Sequence, residues 1–290
     1  NVTTDAASVC LKSGNAVILR GGSESLRTNI VLADAMAEAA SQHGLPDHAL
    51  QIIRTADREN VHHLLRMDRY VDVLIPRGGK SLIERVASES RIPVIKHYEG
   101  ICHQYLAADA PVERAVAVTV NSKCQRVEVC NALETLLVDG QSGERLLPEL
   151  KRVFDAENVT LRGCARTRAI LPDIEIATEE DWSTEYLDRI LSVRIVDGVT
   201  EAIEHINTYG SGHTDGIVTD DIATARRFVA GVDASSVLVN ASTRLSGGGD
   251  YGMGAVVGIS TDKLHARGPV GPGELTSYKW IAYGDGHLRD

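Results

Sequence analysis

The 290-residue sequence contains no run of about 18 apolar residues, so it predicts no membrane span. A recognisable signal peptide is also lacking. Positive charge is in short supply, since 30 Lys and Arg face 40 Asp and Glu for a net charge of −10. Nonspecific nucleic-acid binding depends on Lys and Arg at the phosphates, so this balance disfavours a nucleic-acid partner. A locally basic pocket for a phosphorylated ligand remains compatible with it.

Cysteine is scarce and scattered. The count is odd, and no CxxC pair or His/Cys cluster has zinc-like spacing, so the sequence predicts neither a disulfide framework nor a metal site. The ten histidines likewise form no HxxH or HExxH arrangement. Free thiols indicate a reducing compartment, the cytoplasm. The five cysteines are Cys10, Cys102, Cys124, Cys130 and Cys164.

Internal repeats are absent, and short β-rich runs alternate with helical stretches. This rhythm predicts an α/β fold with a mainly parallel sheet and helices on both faces. The pattern restarts after residue 113, so we expect one domain over residues 1–114, a second over 115–255 and a return segment over 256–290. Residues 274–286 are predicted to form a lone strand, whose open edge invites pairing with another subunit.

The segment QRVEVCNALETLLVDG (125–140) places Cys130 between a polar lead-in and an apolar run that predicts a strand. Catalysis by cysteine needs the thiolate, which an electropositive position favours. Arg126 would lower the pKa of this thiol if it points inward, whereas the charge of Glu128 would raise it. Cys130 is a candidate nucleophile, although a buried structural cysteine is the ordinary alternative. Cys124 is a weaker candidate because no strand follows it directly.

Two turns join a strand to a helix through glycines. LIPRGGKSLI (74–83) contains Gly78 and Gly79, which would let backbone N–H groups approach a phosphate. LRGGSES (19–25) carries Arg20, Ser23 and Glu24, which could hold a ribose and its phosphate. Tight turns need glycine in any case, so neither pattern is specific alone.

A glycine-rich segment, NASTRLSGGGDYGMGAVVGIS (240–260), follows a predicted strand. Asn240, Ser242 and Arg244 supply donors suited to a substrate carboxylate, although a flexible surface loop is an equal alternative. Arg267 could bind substrate or form a surface ion pair. Three histidines beside glycine turns are further candidates, with a structural role as the default: His97, His103 and His213.

Long colinear segments carry a resemblance that covers essentially the whole chain. SGNAVILRGGSES (13–25), QRVEVCNALETLLV (125–138) and LHARGPVG (264–271) closely resemble the gamma-glutamyl phosphate reductase family of the aldehyde dehydrogenase superfamily. The resemblance implies two Rossmann-like α/β domains, the first for NADPH and the second for the thiol, plus a small β oligomerisation flap. It also implies NADPH-dependent reduction of L-glutamate 5-phosphate to the 5-semialdehyde, with release of phosphate, in proline biosynthesis.

The same resemblance assigns roles at the reacting centre. Cys130 would be the nucleophile, and Asn1 would donate a hydrogen bond to the oxyanion, with the backbone N–H of Cys130 as the second donor. Hydrolytic relatives carry a water-activating glutamate at a position that falls on His97 here, with Glu99 two residues further on. A histidine there suits an enzyme that must not hydrolyse its thioester.

On the cofactor side, the resemblance places Ser23 and Glu24 at the adenosine ribose and Arg20 at the 2′-phosphate of NADPH. Gly78 and Gly79 would lie near the cofactor's phosphates. Glu185 would hold the nicotinamide ribose. Asn240, Ser242, Arg244 and Arg267 remain the candidates for binding the substrate.

The implied partners are a small acyl phosphate, an upstream glutamate 5-kinase, fused or separate, and further copies of the chain. The chain opens at Asn1 without a methionine, in a segment with a structured pattern, so we expect an N-terminal part to be missing. Two alternatives stay open. The chain could be a related aldehyde dehydrogenase that acts on another acyl phosphate or aldehyde, or a non-catalytic nucleotide-binding fragment.

Overall fold

A computed structural model describes residues 2–290. In this part of the chain, helices and strands alternate as the sequence predicts. The helices are α1 (Val2–Lys12), α2 (Leu26–Gln42), α3 (Glu59–Leu64), α4 (Lys80–Glu89), α5 (Val112–Cys124), α6 (Gly143–Ala156), α7 (Ala165–Ile170), α8 (Gly198–Tyr209) and α9 (Ile222–Gly231). The strands are β1 (Val17–Leu19), β2 (Leu50–Ile52), β3 (Cys102–Leu106), β4 (Leu133–Asp139), β5 (Thr160–Gly163), β6 (Glu175–Ile176), β7 (Ile190–Val196), β8 (Thr214–Val218), β9 (Ser236–Val239), β10 (Ile259–Ser260) and β11 (Gly268–Pro269).

The chain forms two compact units. The smaller contains residues up to Asp57, together with Ala255–Val257 and Val270–Asp290, and the larger contains Arg58–Gly254 and Gly258–Pro269. The predicted boundary near residue 114 does not coincide with this division, because α3, α4 and β3 all belong to the larger unit. β3 pairs with both β4 and β8, which ties the segment before residue 114 into the larger unit's sheet.

In the smaller unit, β1 and β2 form a short parallel pair beside α1 and α2. Its apolar core consists of small and medium side chains that the two helices and two strands contribute. They are Ala7, Leu19, Ala33 and Leu50.

The larger unit is built on a seven-stranded sheet in the order β6-β5-β7-β4-β3-β8-β9, and every neighbouring pair is parallel. Successive side chains of β4 pack on opposite faces. Leu136 and Val138 join the core that contains α6, whereas Leu137 joins the core that contains α8 and α9. Both faces of the sheet are therefore covered, as a parallel sheet requires.

The central strand β3 is absent from the sequence prediction. Its sequence, CHQYL, contains the polar residues His103 and Gln104, yet all five residues are buried. Hydrophobic patterning misses such a strand because its residues are not all apolar. His103 is bonded to Asp215 of β8, whereas the buried Gln104 amide has no hydrogen-bond partner in the described residues. Conversely, the predicted strands at 71–76 and 92–98 are reduced to one bridge between Leu74 and Val94.

The prediction of a strand over residues 274–286 is wrong for the single chain, since this part of the described structure contains no strand. A strand needs a pairing partner to form its ladder, and within the described chain none is supplied. Three aromatic side chains of this segment are almost fully exposed, namely Tyr278, Trp280 and Tyr283. Across residues 2–290, each helix falls short of the length and apolarity needed to cross a membrane.

Candidate active site

The candidate site lies at the amino-terminal edge of the sheet, where the segments leading into β4, β3 and β8 run side by side. Cys130 precedes β4, His97 lies in the segment before β3, and His213 immediately precedes β8. The Cys130 Sγ and one ring nitrogen from each histidine all lie within 4.8 Å of one another. The histidine rings pack edge to face, with centroids 5.4 Å apart. Residues far apart in the sequence thus surround a half-buried thiol.

Residues 125–132, the loop between α5 and β4 that carries Cys130, are called the thiol loop here. Backbone packing holds this loop against β3. A Cβ added at Gly100 would lie 1.8 Å from the Cys130 carbonyl oxygen, so only glycine permits this approach. The same carbonyl accepts a hydrogen bond from the Cys102 thiol at 3.2 Å. The position of Cys130 is therefore set by the start of β3 as well as by its own strand.

Both histidines beside the thiol are oriented through Nδ1. The His97 Nδ1–H donates to the Ile259 carbonyl at 3.0 Å. The His213 Nδ1–H donates to the Thr214 hydroxyl at 2.8 Å, because that hydroxyl uses its own proton to donate to Ser246. The lone pair of each ring is then at Nε2. Burial lowers the pKa of both rings, to about 3 for His213, so both imidazoles are neutral at pH 7.

Burial raises the pKa of the Cys130 thiol, and the Glu185 carboxylate adds to the rise, while Arg77 and Arg244 oppose it. The predicted effects of its near neighbours in sequence are not seen. Arg126 and Glu128 are both exposed, and neither is among the main charges acting on the thiol. The local charges that matter come from other segments, which short-range sequence patterns do not reveal.

Arg244 is fastened to the thiol loop. Its Nε donates to the Gln125 side chain at 2.9 Å, and an Nη donates to the Asn131 side chain. Asn131 in turn donates to the Ser246 carbonyl at 3.0 Å. The glycine-rich segment after β9 therefore runs back along the sheet and brings one guanidinium beside the thiol.

A buried ion pair closes the base of the thiol loop. Lys123, at the end of α5, donates to Glu134, at the start of β4, over 2.7 Å, and both side chains are fully buried. Burial raises the pKa of Glu134 to about 7 and lowers that of Lys123. Desolvation thus opposes their attraction, so the pair orients the loop more than it stabilises the fold. Glu134 also accepts the Leu187 N–H at 3.3 Å, which links the loop to the segment that carries Glu185.

Among the predicted cofactor residues of the larger unit, Glu185 lies nearest the thiol loop. It accepts the Gly100 N–H at 2.8 Å, and burial raises its pKa. Gly79 is the N-cap residue of α4 and supplies no side-chain cap, so N–H groups of the first turn remain available for an anion. Gly78 has a φ of 156°, and an added Cβ would lie 2.9 Å from Leu82.

In the smaller unit, one Nη of Arg20 donates to the Ala56 carbonyl at 3.2 Å. Its Nε is buried and without a hydrogen-bond partner in the described chain. Ser23 and Glu24 are exposed, and a Cβ added at Gly22 would lie 2.2 Å from a carboxylate oxygen of Glu24.

The predicted substrate residues separate in the structure. Arg244 lies at the thiol loop, whereas the Asn240 side chain binds both the N–H and the carbonyl of Thr219 at the opposite, carboxyl-terminal end of the sheet. Ser242 is buried, and its hydroxyl accepts the Arg244 N–H. Arg267 forms an ion pair with Asp233 at 2.8 Å, the alternative that the sequence left open for it. Asn240 and Ser242 thus have structural bonds that compete with substrate binding.

The remaining candidates are distributed as follows. Asn1 lies outside the described residues. Cys124 packs against the apolar core on one face of the sheet, and His103 bonds Asp215. His97 and Glu99 are the two alternatives for the position of the water-activating residue. His97 lies beside the thiol, whereas Glu99 forms an ion pair with Lys80 at 2.7 Å. The sequence analysis gives no role in the site to four of its contributors, namely Arg77, Gly100, Cys102 and Asn131. Arg77 and Asn131 could have been suspected, because they lie within the quoted segments 74–83 and 125–140.

Comparison with known proteins defines the class. The family model described as the aldehyde dehydrogenase family matches residues 1–161. An acetylating aldehyde dehydrogenase from Geobacillus thermoglucosidasius has a TM-score of 0.74 at 21% identity, over 100% of this chain and 73% of that one. An engineered glycolyl-CoA reductase with bound NADP+ has a TM-score of 0.68 at 15% identity, over 90% of this chain and 67% of that one. At these identities the two structures show the shared fold alone.

The chain belongs to the aldehyde dehydrogenase family, and its α/β fold is the fold of that family. A solved gamma-glutamyl phosphate reductase from Thermotoga maritima is 42% identical with a TM-score of 0.97, over 100% of this chain and 70% of that one. Within the family, the chain therefore groups with the gamma-glutamyl phosphate reductases. The fold class and the family expected from the sequence are both confirmed.

Proposed function

We propose that this protein reduces L-glutamate 5-phosphate to L-glutamate 5-semialdehyde, with NADPH as reductant and release of phosphate, in proline biosynthesis. The grouping with the gamma-glutamyl phosphate reductases supports this substrate. The observation that carries the proposal is a half-buried cysteine that two neutral imidazoles and two arginines surround at one edge of the sheet.

Cys130 supplies the nucleophile. Its sulfur bonds to the acyl carbon, the carbon–oxygen bond to phosphate breaks, and a thioester remains on the enzyme. The raised pKa of the thiol means that its proton must be removed on attack. Each of His97 and His213 has one ring nitrogen close to the sulfur, and we propose that the Nε2 lone pair of one of these rings accepts the proton. When the later thiohemiacetal collapses, the thiolate leaves and the aldehyde is released.

Water must not compete for the thioester. A hydrolytic relative needs a carboxylate to activate water, and Glu99 is held by Lys80 instead. His97 takes the place beside the thiol, with its Nδ1–H committed to the Ile259 carbonyl. The carboxylate that activates water in hydrolytic relatives is therefore absent from this position. The two donors that the resemblance assigns to the oxyanion are the Cys130 N–H and Asn1.

Members of this family use nicotinamide cofactors, and the residues present fit one. The unsatisfied, buried Nε of Arg20 suits an anion such as the 2′-phosphate, which supports NADPH. Ser23 and Glu24 are proposed to hold the adenosine ribose, Gly78 and Gly79 the phosphates, and Glu185 the nicotinamide ribose. The bound cofactor supplies the hydride that reduces the thioester.

We also propose that the chain works as a homo-oligomer in the cytoplasm, with a glutamate 5-kinase supplying its substrate. All five cysteines, which lie within the described residues, are free thiols, as a reducing compartment allows. The exposed aromatic residues of the C-terminal segment are suited to burial against another copy.

The test follows the reaction in reverse. Replacement of Cys130 by serine should abolish phosphate-dependent reduction of NADP by glutamate semialdehyde, because the alcohol is a far weaker nucleophile at pH 7. The matched control is Cys124→Ser, which should keep most of the activity. Equal losses in the two variants would remove the assignment, and activity independent of phosphate would favour a different aldehyde dehydrogenase reaction. The assay should use the full-length protein.

A further inference from the structure

We propose that His97, Cys130 and His213 form a binding site for Zn²⁺, and that the bound ion reversibly blocks the thiol. This site goes beyond the proposed reduction, which needs no metal. It also differs from the expectation from sequence, where no histidine and cysteine have zinc-like spacing. The three residues meet only because their segments reach the same edge of the sheet.

The donor set is that of zinc. A thiolate and two imidazoles are ligands that Zn²⁺ binds well, and three protein ligands leave the fourth tetrahedral position to water. Bonds of about 2.0–2.3 Å to a tetrahedral ion put its ligand atoms roughly 3.3–3.8 Å apart. The three candidate ligand atoms already lie within 4.8 Å of one another. Rotations of the half-buried His97 and Cys130 side chains would close the remaining gap.

The second observation is an unused lone pair. His213 is completely buried, and its Nε2 has no hydrogen-bond partner among residues 2–290. A buried polar atom left without a partner is costly, so this nitrogen favours a ligand.

The hydrogen bonds of the Nδ1 atoms prepare the two rings for a metal. Metal-bound histidines ordinarily donate their other N–H to a carbonyl or hydroxyl, which fixes the tautomer. His97 donates to the Ile259 carbonyl, and His213 donates to the Thr214 hydroxyl. The Thr214 hydroxyl donates to Ser246, and the Ser246 hydroxyl donates to Ser236. Thr214 is therefore left as the acceptor for the His213 ring. Both rings thus present Nε2 as an acceptor.

Binding involves no redox change. Zn²⁺ replaces the thiol proton of Cys130, which is released to solvent, and the sulfur can no longer attack an acyl carbon. Removal of the ion by a chelator should restore the nucleophile.

The experiment measures metal binding on the protein without substrate or nucleotide, so its outcome is independent of the proposed reaction. After treatment with a chelator, the protein is titrated with Zn²⁺ against a chromogenic competitor, and with Co²⁺ to observe thiolate-to-metal absorption. We expect one site. Cys130→Ser should abolish the thiolate band, and His97→Ala should weaken binding by about tenfold or more through loss of one ligand.

The matched controls are Cys124→Ser and His62→Ala, which should bind the metal like the parent protein. His213→Ala serves as a third ligand variant only if its thermal unfolding without metal matches the parent. The half-buried His97 keeps the test valid if the His213 variant does not fold. Equal Zn²⁺ affinity in the parent and Cys130→Ser, or a Co²⁺ complex without a thiolate band, would overturn the proposal.

Discussion

Two histidine pairs in the larger unit have nearly the same ring geometry and different neighbours. The rings of His97 and His213 lie 5.4 Å apart beside Cys130, and those of His103 and His205 lie 5.5 Å apart. Both pairs pack edge to face. Burial lowers the pKa of one member in each, to about 3 for both His213 and His205.

The difference lies in the third partner. His103 donates both its backbone N–H and its Nδ1–H to one oxygen of the buried Asp215, which ties β3 to β8. His205 packs between the rings of Trp182 and Tyr209. No thiol accompanies this pair, so it has a structural role. Two packed imidazoles therefore form part of a candidate reactive site only where a nucleophile lies beside them.

The largest expected effect is a loss of folding stability when the partner of the His103 pair, rather than the thiol beside the His97 pair, is removed. Asp215→Ala should lower the free energy of unfolding by about 3 kcal/mol or more, because two buried N–H donors lose a charged acceptor. Cys130→Ala should lower it by no more than about 1 kcal/mol, since a half-buried thiol contributes little packing. Urea denaturation measures both. The milder Asp215→Asn, which retains a carbonyl acceptor, should fall between them. A similar loss of stability in both alanine variants would contradict the assignment of a structural role to the His103 pair and a reactive role to the His97 pair.

A second expectation concerns the thiol itself. Burial raises the pKa of Cys130, so its thiolate is a minor species at neutral pH. As long as the pH stays below that pKa, the thiolate fraction should rise about tenfold for each unit by which the pH is raised. The rate of alkylation by iodoacetamide, followed at Cys130 by mass spectrometry between about pH 6 and about pH 8, should rise accordingly.

Cys164 provides the internal contrast for that measurement. Burial works against its ionisation, yet the Thr167 hydroxyl and nearby backbone N–H groups hold the pKa of its thiol below the ordinary value. At each pH a larger fraction of its thiol than of the Cys130 thiol should therefore be ionised, and Cys164→Ser removes its contribution to the total. A flat profile at Cys130 would mean that the charges of Arg77 and Arg244 outweigh burial.

The smallest expected effect is at His205. Neither of its ring nitrogens has a hydrogen-bond partner in the described structure, so phenylalanine would lose no bond and keep the aromatic packing. His205→Phe should change the free energy of unfolding by less than about 1 kcal/mol, in either direction, and leave alkylation of Cys130 unchanged. A large loss in urea denaturation would reveal an unrecognised polar role for this ring.

The comparison also shows what the sequence could predict. Apolar periodicity predicts a helix over 112–123, a strand over 134–139 and a helix over 143–157, and α5, β4 and α6 match these bounds within one residue. β3 escaped prediction because CHQYL lacks apolar periodicity and because His103 finds its partner, Asp215 of β8, 112 residues away in the sequence. The C-terminal segment 274–286, by contrast, contains no strand in the described structure, although the sequence predicts one.

The candidate site divides in the same way. Cys130 could be proposed from its motif, because a loop cysteine before an apolar strand is visible locally. Its electrostatic neighbours could not, since Arg77, Glu185 and Arg244 approach it only through the fold. The same holds for the meeting of His97 with His213, whose positions in sequence carry no shared spacing.

The absence of a side chain at Gly100 has a consequence for sorting related sequences. Any methyl group there would collide with the peptide carbonyl of Cys130, so even alanine would displace the nucleophile. A homologue with a larger residue at the equivalent position must have rebuilt its thiol loop or abandoned the chemistry. The residue at position 100 therefore helps to distinguish homologues that keep this arrangement of the nucleophile from homologues that have lost it.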